Sequence, residues 1–95
     1  MKVRLLAPAQ IELDEAFAWY EKEHRGLGQH FIREVQDTLK RIVTFPESCH
    51  FIAPGLRRCI VKRFPYMVIY GRHEGEIVVV AIAHMHRKPM YWQDR

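Results

Sequence analysis

The sequence predicts an α+β fold: an N-terminal strand, an antiparallel helical hairpin, then a three-stranded antiparallel meander. Residues 2–6 alternate charged and apolar side chains. Two apolar stripes at three- and four-residue steps flank Arg25-Gly26-Leu27-Gly28. The second half carries apolar, β-branched runs that end in Ile77-Val78-Val79-Val80-Ala81-Ile82-Ala83. Period two marks strands and period 3.6 marks helices, so the order of elements follows from the order of periods.

Each element has its own justification. Lys2, Val3, Arg4 and Leu5 suit a half-buried first strand. Pro8 fits the first turn of a helix, and Ala9, Leu13, Ala16, Phe17 and Tyr20 form its stripe to about residue 23. The glycines of the next segment supply the left-handed backbone that ends a helix. A second stripe follows at Phe31, Val35, Leu39 and Ile42, and so short a connection makes the helices antiparallel. Phe45-Pro46 stops the second helix, because proline disfavours helical geometry in the residue before it. Residues 47–56 then read as a loop, 58–64 as a strand, 66–72 as a second, 73–76 as a turn and 77–84 as the last. The expected core includes Phe31, Val35, Leu39, Val79 and Ala81.

Ninety-five residues, 48% of them hydrophobic, read as a single domain over 1–95 that closes a small core without metal or disulfide support. Nothing apolar is long enough to cross a bilayer, and the apolar part of the start is too short for a secretion signal, so the chain reads as cytoplasmic, with no membrane partner. Cys49 and Cys59 belong to no metal-ligand spacing and read as plain thiols. The net charge of +4 is uneven: residues 1–50 hold seven Lys or Arg against eight Asp or Glu, and residues 51–95 hold eight against three. A basic half favours an acidic partner, whether nucleic acid or an acidic protein segment.

The residues that could carry chemistry cluster in that half. Arg57, Arg58, Lys62 and Arg63 crowd one predicted strand, either as cations that guard a sheet edge or as a binding patch. On that strand Arg57 and Arg63 share a face with Cys59 and Val61. His84 and His86 project together but lack a third ligand at any recurrent spacing, so no metal is expected. His84 is the candidate acid or base, against a structural histidine. Tyr91 and Trp92 either seal the core or cover a groove. Trp19 lies off its helix stripe, and an exposed tryptophan on a helix suggests a protein contact.

Several stretches in order resemble the RelE/ParE superfamily of bacterial toxins from type II toxin–antitoxin, or plasmid-stabilisation, modules. They are Ala16-x-x-Trp19-Tyr20, Gly26-Leu27-Gly28-x-x-Phe31, Phe45-Pro46, Arg57-Arg58, Arg63-Phe64-Pro65-Tyr66-x-Val68-Ile69-Tyr70 and His84-x-x-Arg87-x-Pro89-x-Tyr91-Trp92-x-x-Arg95. The resemblance covers nearly the whole chain and implies the fold order above. RelE-like members cut messenger RNA on the ribosome with a lysine and an arginine on the sheet. Those positions align with Ile60 and Met67, and a further arginine falls near Met85, with Arg87 and His84 as nearby substitutes; Tyr91 matches. Isoleucine and methionine offer neither a cation nor a proton to a developing phosphate charge.

The resemblance therefore implies a ParE-like toxin that inhibits a cellular target such as DNA gyrase, needs no cofactor, and is neutralised by a cognate antitoxin. One alternative is a metal-independent endoribonuclease acting on ribosome-bound or free mRNA through His84, Arg87 and Tyr91 with Arg58 or Arg63. Another is a degenerate toxin fold that keeps only antitoxin binding. The expected partner-binding residues are Trp19, Arg57, Arg58, Arg63, Arg87 and Trp92.

Overall fold

The computed structural model describes residues 1–95. Strand β1 (Lys2–Leu5) leads into helices α1 (Ala7–Glu23) and α2 (Leu27–Thr44), followed by β2 (His50–Ala53), β3 (Leu56–Ile60), β4 (Tyr66–His73) and β5 (Glu76–His84). One five-stranded sheet results, in the order β1-β5-β4-β3-β2. The first strand runs parallel to β5 and every other neighbouring pair is antiparallel. The α+β class and the order of strand, helical hairpin and antiparallel strands are those the periodicities predict.

The hairpin is tight because its two helices share a cap. Gly26 takes a φ of +89°, and its N–H and that of Gly28 donate to the Glu21 carboxylate at 2.9 and 3.0 Å. An acid at the end of α1 thereby satisfies two of the open N–H groups that start α2. Gly28 is required for a second reason: a Cβ there would come within 2.6 Å of the Phe17 carbonyl on α1. Helix α2 buries Phe31, Val35, Thr38 and Ile42 against the sheet, and Thr38 hides its hydroxyl by donating to the Glu34 carbonyl at 2.7 Å. Leu39, expected in this core, is only half-buried; Thr38 takes the inward position.

Both faces of the sheet are covered. The helices close one core over Val68, Tyr70, Ile77, Val79 and Ile82. The C-terminal segment closes a second on the opposite face, where Trp92 packs with Ile69, Val80, Ala81 and Ala83. A register shift in β5 explains how its residues divide. Ile69 pairs with Ala81 but Tyr70 pairs with Val79, so Val80 is an extra residue and the side that faces the helices passes from Val79 to Ile82.

The meander carries one strand more than the three expected. His50-Phe51-Ile52-Ala53, placed in a loop from sequence, is β2, joined to β3 through Pro54-Gly55 with Gly55 at φ +74°. A proline followed by a left-handed glycine is a hairpin signal in itself. The extra strand makes β3 an interior strand, so its cations do not guard an edge. Moreover, β3 stops at Ile60; Lys62 and Arg63 form a turn in which Arg63 has a φ of +69°. The side chains of Arg57 and Arg63 therefore do not share one strand face.

Candidate functional site

The site begins where β1 ends. Pairing between β1 and β5 reaches only to Val79, and the chain then turns into α1, leaving the upper edge of β5 without a neighbouring strand. Side chains take over the missing ladder. Glu12 of α1 accepts a hydrogen bond from the Ile82 backbone N–H at 3.1 Å, and Arg95 donates to the Val80 carbonyl at 3.1 Å. Buried backbone groups require such partners.

Glu12 is also the centre of a polar cluster that fastens the C-terminal segment. Tyr91 Oη donates to its carboxylate at 2.5 Å, Arg95 reaches it from two nitrogens at 2.8 and 3.1 Å, and Arg87 lies at 3.4 Å. The Glu12 side chain is 9% exposed and that of Arg95 18%. Arg87 stacks on the Tyr91 ring at 3.7 Å. Burial, reinforced by the neighbouring carboxylate, pushes the Tyr91 phenol up, so it remains a proton donor. Arg95 is held more firmly protonated by its hydrogen bond to Glu12.

Above this cluster a groove of about 610 Å³ opens between α1 and the β4–β5 end of the sheet. Its floor is Ala16, Tyr66 and Ile82, with Trp19 on one rim and His84 and Arg87 on the other. Trp19 is 60% exposed. Tyr66 and His84 are cross-strand partners with rings 5.1 Å apart at 78°. The His84 Nδ1 accepts from the His86 N–H at 3.1 Å. The groove combines an apolar base with Arg87 on one side and the carboxylates of Glu12 and Glu15 in its lining, a surface that suits a peptide segment with apolar anchors.

The structure brings together His84, Arg87 and Trp19 around the groove, with Tyr91 beneath it, and leaves the other expected residues elsewhere. Arg63 is turned toward α2, where it pairs with Glu34 at 2.5 Å; that bond is the main reason the Glu34 carboxyl lies below its usual range. Arg57 donates to the Glu47 and Cys49 carbonyls and stacks on Phe51, so it braces the segment after α2. Arg58 is exposed on the outer face with no carboxylate in reach, whereas Trp92 is 4% exposed, too deep to meet a partner directly. Ile60 and Met67 are register partners, with Met67 packed against the outer-face core and Ile60 42% exposed. No three His, Cys, Asp or Glu side chains meet in a way that could hold a metal ion, and no helix is long and apolar enough to cross a membrane.

Glu12 is the member of the cluster that the sequence reading misses. The available signal is Arg87 and Arg95 flanking Tyr91 at four-residue steps, a cationic set that calls for a carboxylate without saying which.

The family model for the ParE toxin of the type II toxin–antitoxin system, parDE, matches residues 3–89. Among solved structures, a chain of the chromosomal ParDE TA system from P. aeruginosa superposes with a TM-score of 0.67 at 17% sequence identity, covering 90% of this chain and 97% of that one. A search of curated protein sequences finds no match.

Proposed function

The chain belongs to the ParE toxin family of type II toxin–antitoxin systems, a family whose partner is a cognate antitoxin, and from that premise we propose that it acts in the cytoplasm, as one toxin domain over residues 1–95, by binding and inhibiting DNA gyrase rather than by cutting RNA. The observation that carries this reading is the pairing of Ile60 with Met67. These are the sheet positions at which, by the resemblance of the sequences, the ribonuclease members of the superfamily present cations. Two facing apolar side chains cannot offset charge on a phosphate in the transition state. Three of the ribonuclease candidates support the same reading, because Tyr91 and Arg87 are engaged with Glu12, and Arg63 with Glu34. A carboxylate at the middle of the cationic cluster also opposes the approach of an RNA phosphate.

For the antitoxin, the groove offers the best seat. Trp19 supplies an exposed aromatic anchor, Arg87 a charged rim, and Arg58 a free cation on the far face for an acidic stretch; Arg57 and Trp92 contribute by holding the scaffold. The test is induced expression with DNA breaks and messenger RNA followed in parallel. Growth arrest with a DNA-damage response and intact messages is expected. It should persist in His84→Ala, whereas loss of a general acid or base would remove about 10²–10⁴-fold of a cleavage rate. Cleavage of translated messages that disappears in His84→Ala or Tyr91→Phe would replace gyrase inhibition with ribonuclease activity.

A further inference from the structure

Cys49 and Cys59 are the only cysteines in the chain, ten positions apart. The β2–β3 hairpin removes that separation. Its ladder pairs Phe51 with Arg57 and His50 with Arg58; the same register, continued one step beyond the start of β2, brings Cys49 opposite Cys59. Facing positions of an antiparallel pair lie about 4.5–5.5 Å apart between Cα atoms, within the span of about 4.4–6.8 Å that a disulfide bridges. Both side chains turn to the helix side: Cys59 is buried in that core, and Cys49 packs against it half-exposed.

The surroundings hold Cys49 in place. Arg57 donates from one nitrogen to the Cys49 carbonyl at 2.7 Å and to the Glu47 carbonyl at 3.1 Å, while its guanidinium rests on the Phe51 ring. Tyr70, the cross-strand partner of Arg57, donates to the Pro46 carbonyl at 2.8 Å and closes the same segment from the other side. The pair thus sits at the end of a braced hairpin.

We propose that Cys49 and Cys59 form a redox pair, in which hydrogen peroxide converts the two facing thiols to a reversible disulfide that staples strand β2 to β3. The two cysteines have different parts. Burial pushes the Cys59 thiol up to about 12, so it is a poor first nucleophile, whereas half-exposed Cys49 can meet the oxidant. The Cys49 sulfur attacks one peroxide oxygen, the O–O bond breaks, and the departing hydroxide leaves as water with the Cys49 proton. Cys59 then attacks the sulfur of the resulting sulfenic acid, the S–O bond breaks, and the second hydroxide takes the Cys59 proton. Two thiols have lost two electrons and one peroxide has become two waters. The inference is independent of which cellular target the toxin acts on.

Peroxide treatment of the full chain, followed by alkylation and trypsin, tests it. Cleavage after Arg41, Arg57, Arg58 and Lys62 should yield the 42–57 peptide linked to the 59–62 peptide, with dithiothreitol separating them. The oxidised chain should melt about 5–15 °C higher than the reduced one, as closure of a short loop implies, and Cys49→Ser should abolish the rise. In Cys59→Ala, which keeps the buried position small and apolar, a dimedone-reactive sulfenic acid should accumulate at Cys49. Over-oxidation of Cys49, or a bond between two chains through Cys49 while Cys59 stays reduced, would overturn the proposal.

Discussion

At the scale of single residues, Glu12 has consequences out of proportion to its place on α1. It replaces a strand at the open edge of β5 and receives Tyr91, Arg95 and Arg87 from the end of the chain. Truncating it leaves a largely buried guanidinium, a phenol and a backbone N–H without their acceptor. Glu12→Ala should therefore cost about 3 kcal/mol in denaturant unfolding, and Glu12→Gln, which keeps an acceptor for Ile82 but loses the charge, about half of that. A loss under about 0.5 kcal/mol would mean that burial of Trp92 alone holds the segment. Residue-scale reading from sequence succeeds for Trp19, whose position off the stripe already implies exposure. For Glu12 it fails, because an acid on an amphipathic helix has the same local signature whether it faces solvent or a partner 70 positions away.

At the scale of elements, α2 shows how far periodicity goes. The spacing selects Phe31, Val35, Leu39 and Ile42, and three of these four are fully buried. Leu39 sits a little round the helix, over a shallow depression lined by Val3 and Val43, while Thr38 points into the core with its hydroxyl bonded back to the preceding turn. Phe31→Ala should accordingly cost about 3–5 kcal/mol, and Leu39→Ala only about 1–2, since it lies at the margin of the core with part of its surface in water. Thermal melts of the two variants check the order; equal losses would mean that α2 is rotated about its axis. Strand β2 is the element that the sequence reading omits. Its four residues are too few for a convincing period, and what makes them a strand is pairing with β3, although Pro54-Gly55 hinted at the turn.

At the scale of the whole molecule, the basic excess of residues 51–95 is distributed very differently from what its sum suggests. Arg63 pairs with Glu34, Arg72 with Glu47, and Arg87 and Arg95 with Glu12, so acids of the first half offset cations of the second. Arg58, Lys62 and Lys88 remain exposed without a carboxylate in reach. Antitoxin binding should divide accordingly. Arg58→Ala should slow association a few-fold at low salt and hardly at all near 0.5 M, because charges on the rim act mainly on encounter and are screened. Trp19→Ala should instead speed dissociation by about 10–100-fold at any salt, as loss of an aromatic anchor does. Kinetics of the purified pair across a salt series would show it, and an unaltered dissociation rate would remove Trp19 from the interface.

The sequence by itself determined the α+β class, both helices, the Gly26 break, the double burial of β5 and the family pattern, because each rests on spacing within a few neighbouring residues. Only the tertiary structure decided that β3 is an interior strand, that Arg57 donates to the Glu47 and Cys49 carbonyls and Arg63 pairs with Glu34, that Trp92 lies under the sheet, that Glu12 meets Arg95 and that Cys49 packs against the core containing Cys59. The physical reason is common to all of these. Pairing and ion contact depend on which distant segments the fold sets side by side, and a side chain carries no local mark of a partner that only chain closure brings to it.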